Sequence, residues 1–288
     1  MESGRPDADH SREPKEMEPS GWGPTAWSHL SLLRCQSPLV QCITNFVSMD
    51  LVANTLLSAG ASPAMIHSPH EIPDFTPNTS ALCINVGTLS ADWLPPMKMA
   101  ANLISKSSKP WVLDPVAVGS STFRLQACLE LIKLKPTVIK GNGSEIIALS
   151  EASTGHAKGV DSAHESMDAV EAAKLLAQAT GAIVAVSGAV DIITDGQRVV
   201  GVRNGVRMMQ KITATGCAAS ALVAAFLAVD QSHALEATAS AMSVFGVAGE
   251  MGMSMAKGPA SLRMHLIDSL YGLDEGVVLG RTNISSLA

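Results

Sequence analysis

The chain has 288 residues, 47% of them hydrophobic and 16% charged, with a formal net charge of −6. Such a composition can bury a sizeable core and excludes a wholly disordered chain. The acidic balance argues against a nucleic-acid partner, whose phosphates need a basic surface, and no apolar run is long and clean enough to span a bilayer.

Residues 1–24 are rich in Pro, Asp, Glu and Ser and have no apolar h-region. They are predicted to be a disordered polar leader and not a secretory signal. A single domain is predicted over 25–288. Its five cysteines, Cys35, Cys42, Cys83, Cys128 and Cys217, are odd in number and form no C-x-x-C pair. They read as reduced thiols of a cytoplasmic protein, not as a disulfide framework or a zinc site. Aromatic residues are scarce, at 3%, so aliphatic side chains must fill the core.

Helical periodicity is predicted over 47–59, 94–106, 123–133, 166–180, 217–229, 234–251 and 261–270. Short Val- and Ile-rich runs over 64–67, 82–86, 111–113, 138–140 and 183–186 read as strands. Their alternation predicts an α/β fold with a mostly parallel central sheet flanked by helices on both faces. Three further β-like runs, 192–194, 199–203 and 206–212, follow one another. Asp195-Gly196 and Asn204-Gly205, both suited to tight turns, separate them, and the set predicts an antiparallel edge meander.

Ligands of open α/β sheets bind beyond the carboxyl ends of the strands. After the predicted strands come Asp114-Pro115, Gly141-Asn142-Gly143-Ser144-Glu145 and Ser187-Gly188. After the meander comes Thr213-Ala214-Thr215-Gly216-Cys217-Ala218. This last turn opens an Ala-rich helix whose first amides, 215 to 218, suit an anion. It also admits a plainer reading, in which Gly216 permits the turn and Cys217 is a buried small hydrophobe. Asp114 and Glu145 suit Mg²⁺ held against nucleotide phosphates. Equally, Asp114 caps a turn and Glu145 answers a helix dipole. No P-loop, no G-x-G-x-x-G and no G-x-S-x-G elbow occurs.

Several blocks together resemble the hydroxyethylthiazole kinase family of the ribokinase-like superfamily. They are Val40-Gln41-Cys42-Ile43-Thr44-Asn45-Phe46-Val47, Gly60-Ala61-Ser62-Pro63-Ala64-Met65, Asn85-Val86-Gly87-Thr88-Leu89, Leu113-Asp114-Pro115-Val116 and Phe123-Arg124. Gly141-Asn142-Gly143-Ser144-Glu145, Val186-Ser187-Gly188-Ala189-Val190-Asp191, Thr215-Gly216-Cys217 and Lys257-Gly258-Pro259 complete the series. The resemblance implies a ribokinase-like fold and ATP-dependent phosphorylation of the hydroxyl of 4-methyl-5-(2-hydroxyethyl)thiazole for thiamine salvage. It implies ATP and Mg²⁺, with Asp114 and Glu145 as metal residues. It assigns Arg124, Ser187, Asn142 and Thr215 to ATP, and Met65, Asn45 and Ala214 to the thiazole alcohol. Gly216 and Cys217 fall at the catalytic turn, Cys217 beside the accepting hydroxyl. A homotrimer with pockets between subunits is implied as well.

Two positions depart from the family pattern. Ala214 stands where Gly is frequent; its methyl either narrows the anion site or costs nothing if φ is negative. Ser187 stands where Thr is common. A thiol at a helix N-terminus is expected to have a lowered pKa, and Cys217 is expected to assist and position the alcohol without driving the rate. Ile43, Met65 and Val47 suit an apolar pocket, Val47 reading better as ordinary core. The alternative activity is that of a related kinase for hydroxymethylpyrimidine or pyridoxal. An ATP-binding sensor without turnover is the reading from another class.

Overall fold

The structure, a computed structural model, describes residues 21–155 and 165–287, the side chains of 165–168 excepted. Residues 1–20 of the predicted leader lie outside them. The elements in chain order are α1 (Trp22–Gln36), β1 (Leu39–Ile43), α2 (Met49–Ala59), β2 (Ser62–Ala64), a short α3 (Ile72–Phe75), β3 (Ala81–Asn85), α4 (Leu94–Lys106), β4 (Trp111–Asp114), α5 (Thr122–Ile132), β5 (Val138–Asn142) and α6 (Gly143–Thr154). There follow α7 (Glu165–Thr180), β6 (Ile183–Ser187), β7 (Asp191–Thr194), β8 (Val199–Val202), α8 (Thr215–Val229), α9 (Ala234–Met255), α10 (Pro259–Gly272), α11 (Glu275–Arg281) and β9 (Ile284–Ser286).

Among the described residues the strands form one nine-stranded sheet in the order β2-β1-β3-β4-β5-β6-β7-β8-β9. From β2 to β6 the neighbours are parallel. From β6 to β9 they are antiparallel. The chain steps from β1 outward to β2, then returns to place β3 on β1's other side. That reversal leaves a crevice beyond the carboxyl ends of β1 and β3.

One face of the sheet is covered by α1, α2, α8, α9 and α10, the other by α4, α5, α6 and α7. Residues 218 to 227 of α8 are all buried. A helix apolar all round belongs between a sheet and outer helices, and α8 meets β1, β3, β4, α1, α2 and α9. Local signals set the other ends. Pro95 and Pro96 open α4, where their missing amides are no loss. Gly60, at φ 107°, closes α2 by returning its amide to the Leu56 and Leu57 carbonyls.

Two strand expectations are corrected. The run 206–212 is not a strand: 207–211 form a short 3-10 helix, and β9 pairs with β8 instead, Ile284 opposite Val202. Asn204 is the physical reason. Its Nδ2 donates to the Arg281 carbonyl at 2.8 Å and to Glu250 Oε1 at 3.1 Å. Its Oδ1 accepts from Ser243 Oγ at 2.7 Å and from the Asn283 amide at 2.8 Å. These four bonds turn the chain off β8 onto α9. The second correction is β1, which the apolar runs did not flag because Gln41 interrupts it. Gln41 is buried, donating to the Ile66 carbonyl at 2.9 Å and accepting from Thr76 Oγ1 at 2.7 Å.

Candidate active site

The carboxyl ends of five neighbouring parallel strands, β1, β3, β4, β5 and β6, each deliver a polar side chain. Asn45 lies two residues past β1, Asn85 ends β3, Asp114 ends β4, Asn142 ends β5 and Ser187 ends β6. Register makes Asn85 the neighbour of Asp114, and Asn142 the neighbour of Ser187. The first of these residues join α8 in a continuous hydrogen-bond network. Asn45 Nδ2 donates to Asn85 Oδ1 at 2.8 Å and to Cys217 Sγ at 3.4 Å. Asn85 Nδ2 donates to Asp114 Oδ2 at 2.7 Å, and Ser220 Oγ donates to the same oxygen at 2.8 Å. Gly87 makes room for the network: a Cβ there would lie 2.6 Å from the Asn45 side chain.

Burial pushes the Asp114 carboxyl up to about 6, against the pull of the Lys140 ammonium and the Ser220 and Asn85 donors. Burial likewise pushes the Cys217 thiol up, and the nearby Asp114 adds to it. This corrects the expectation of a lowered thiol pKa: desolvation and a like charge outweigh the helix start. The side chain is a neutral thiol at physiological pH.

Asn142 and Glu145 form a capping box at the start of α6. Asn142 Oδ1 accepts the Glu145 amide at 2.9 Å, and Glu145 Oε2 accepts the Asn142 amide at 2.8 Å. Glu145 Oε1 also accepts the Ala117 amide at 2.8 Å, tying the segment after β4 to α6. Each of these carboxylate oxygens keeps a second lone pair. Hard oxygen donors from neighbouring strand ends fit a Mg²⁺ that keeps its waters and leans on phosphates. They do not make a closed cage, and among the described residues no group of three or more His, Cys, Asp or Glu could hold a metal.

Beside the network opens a cavity of about 750 Å³, within the range of small-molecule sites. Lys140, Asn142 and Ser187 bound it on the strand side, Thr215 and Gly216 at the start of α8, and Met242 and Phe245 on α9. Lys140 is buried, and its Nζ donates to the Gly216 carbonyl at 2.9 Å. The Ala218 amide returns to the Ala214 carbonyl at 2.9 Å. An anion is therefore left the amides of Thr215, Gly216 and Cys217, one fewer than the sequence suggested. Thr215 Oγ1 fastens the turn to the Met209 and Ile212 carbonyls at 3.1 and 3.2 Å.

Of the predicted site residues, Asn142, Ser187, Thr215 and Gly216 line the cavity, while Asn45, Asp114 and Cys217 share the network. Arg124 is not among the lining residues; its Nη1 donates to the Val116 carbonyl at 3.0 Å. Met65 follows β2 and packs, partly buried, against the core. Ala214 sits at φ 68°, in the left-handed region, so its methyl is strained. Ile43 is fully buried core, whereas Val47 is 61% exposed and not core. Sequence reasoning missed Asn85, Lys140, Ser220 and Asp191 as site residues. Lys140 had a visible signal, a charge inside the apolar run Val138-Ile139-Lys140. Next to Asn45 in the chain, Phe46 packs edge-on to Trp93 with centroids 4.9 Å apart, and Trp93 stacks on His67 at 4.8 Å.

Compared with known proteins, the chain matches the description "Hydroxyethylthiazole kinase family" over residues 30–276. It is 70% identical to a hydroxyethylthiazole kinase of Arabidopsis thaliana over 94% of this chain and 99% of that one. With the hydroxyethylthiazole kinase of Zea mays it shares 60% identity over 94% of this chain and 96% of that one. A solved structure of a hydroxyethylthiazole kinase protein from Pyrococcus horikoshii OT3 superposes with a TM-score of 0.86 at 36% identity, covering 92% of this chain and 100% of that one. The pyridoxal kinase of Staphylococcus aureus, at a TM-score of 0.57 and 18% identity over 73% of this chain and 86% of that one, shares the ribokinase-like fold alone.

Proposed function

The chain belongs to the hydroxyethylthiazole kinase family and is a phosphotransferase with an alcohol acceptor; we propose that it transfers the γ-phosphoryl group of ATP to the hydroxyl of 4-methyl-5-(2-hydroxyethyl)thiazole, giving the thiazole phosphate used in thiamine salvage. The observation that carries the mechanism is the start of α8, which opens into the cavity opposite Lys140 and beside the Asn45–Asn85–Asp114 network.

Phosphoryl transfer depends on in-line positioning and neutralised charge more than on covalent help. Lys140 supplies a buried ammonium, and the amides of Thr215, Gly216 and Cys217 supply oriented donors, for the charge that spreads over the transferring group. Ser187, Asn142 and Thr215 border the space of the phosphates. Arg124 reaches them only by leaving the Val116 carbonyl. Mg²⁺ would be held by Asp114 and Glu145 and would neutralise phosphate oxygens when bound. The acceptor alcohol lies on the Asn45 and Met65 side, with Ala214 and Cys217 between it and the nucleotide. Cys217 Sγ, uncharged, gives the hydroxyl a polarizable neighbour without taking its proton early.

A homotrimer is part of the same proposal. Phe46 and Val47, 64% and 61% exposed, adjoin Asn45, and a second copy covering them would complete the alcohol pocket. The free thiols support a cytoplasmic setting. The decisive assay measures ADP formation with Mg²⁺ and the thiazole alcohol, hydroxymethylpyrimidine or pyridoxal, beside a Glu145→Gln control. Thiazole-dependent turnover that collapses in Glu145→Gln is expected. Faster turnover of either rival alcohol would overturn the substrate assignment.

A further inference from the structure

Asp191 opens β7 and lines the same cavity, yet no step above uses it. Its Oδ1 accepts the Gly188 amide at 2.9 Å, closing the turn between β6 and β7. Its Oδ2 has no hydrogen-bond partner among the described residues. Burial pushes the carboxyl up to about 6, against the pull of the Gly188 amide and Lys140. Asp191 is half-buried, and its carboxylate, lining a ligand cavity with one oxygen unmatched by the protein, has room to accept a donor from the ligand.

The choice of donor follows from chemistry. A nucleoside triphosphate is a polyanion with acceptors nearly everywhere. Its donors are the two ribose hydroxyls and, in ATP, the amino group of the base. The base suits the apolar α9 side of the cavity, where Met209, Met242 and Phe245 stand. The phosphates suit Lys140 and Ser187. Asp191 belongs to the hairpin that carries Ser187, on the strand side, so the hydroxyls of the intervening sugar are the donors within its reach. We infer that Asp191 determines donor specificity: its free carboxylate oxygen accepts a hydrogen bond from a ribose hydroxyl and selects ribonucleoside over deoxyribonucleoside triphosphates.

The inference rests on the reading of the cavity as the nucleotide site, and the experiment separates the two. KM is measured for ATP, 2′-deoxy-ATP and 3′-deoxy-ATP with the full chain, Asp191→Asn and Lys140→Met. Asn at 191 still accepts the Gly188 amide, so the turn is kept; equal melting temperatures check this. The unaltered enzyme is expected to show a KM about tenfold higher for at least one deoxy nucleotide, the scale of one charge-assisted hydrogen bond. In Asp191→Asn the ratio should shrink to within about threefold, mainly because KM for ATP rises. Equal use of all three nucleotides by the unaltered enzyme overturns the inference, and so does discrimination that survives in Asp191→Asn. If Lys140→Met leaves KM for ATP unchanged, the nucleotide reading of the cavity falls as well.

Discussion

Asp114 and Ala214 show what the site asks of single residues. Asp114 has two side-chain donors and Lys140 close by, yet burial still holds its carboxyl at about 6, against 3.8 for a free aspartate. Its folded pKa is raised, so the uncharged form favours folding. The penalty of ionisation is absent below about pH 4, grows between pH 4 and 6, and is complete above. Asp114→Asn is therefore expected to be about 1–3 kcal/mol more stable than the unaltered protein at pH 7.5, equal to it near pH 4, and at least about 100-fold less active. Urea unfolding at the two pH values checks the sign; an unaltered protein that is the more stable at pH 7.5 refutes it. Ala214, at φ 68°, holds a backbone conformation costly for a residue with a Cβ. Ala214→Gly should stabilise by about 1 kcal/mol, seen as a melting temperature raised by about 2 °C. Cys217, a neutral thiol in its place, is expected to tolerate Asp: Cys217→Asp stays active, and a folded but dead variant would show that the thiol does more than position.

At the scale of elements, the wall of the cavity depends on small residues of α9. A Cβ at Gly246 would lie 2.6 Å from Asn204, against backbone, which cannot yield as a flexible side-chain tip does. Gly246→Ala is expected to lose about 1–3 kcal/mol and to raise KM for ATP, because the 3-10 turn at 207–211 is pushed off α9. Gly216 is a contrast. A Cβ there would meet only Lys140 Nζ, at 3.6 Å, so Gly216→Ala should fold normally and weaken nucleotide binding alone. Separate stability and KM measurements distinguish the two variants. Local periodicity was enough to read α2, α4, α5 and most of α7 to α10, and the strand ends that carry Asp114, Asn142 and Ser187. It was not enough for α1, whose core residues Ala26, Leu30 and Leu33 are diluted by Ser28, His29 and Ser31. Nor did it place the third edge strand, since Asn204 meets partners 39 to 79 residues away, and no window of neighbours contains them. Asn85 carries no local signal of its role, because its worth lies in pairing with Asp114 across two strands.

For the whole molecule, topology gathers the chemistry. The reversal at β1 brings Asn45 and Asn85 together, and buried α8 lays its first turn across the ends of the strands. Sedimentation is expected to find three chains per particle; Phe46→Glu should shift the population toward single chains and depress turnover with it. A monomer that turns over at full rate would leave the exposed Phe46 and Val47 without that explanation. The aromatic group next to Asn45 also makes the protein its own light meter. The chain has four tryptophans and one tyrosine; Trp111 is sealed in the sheet and Trp22 and Trp27 ride on α1. Among the described residues, Trp93 is the tryptophan that packs on other rings, Phe46 and His67, beside the proposed alcohol side of the site. A heteroaromatic guest arriving there should alter its fluorescence without dye or nucleotide, and the Trp93→Phe chain should be blind to the same guest.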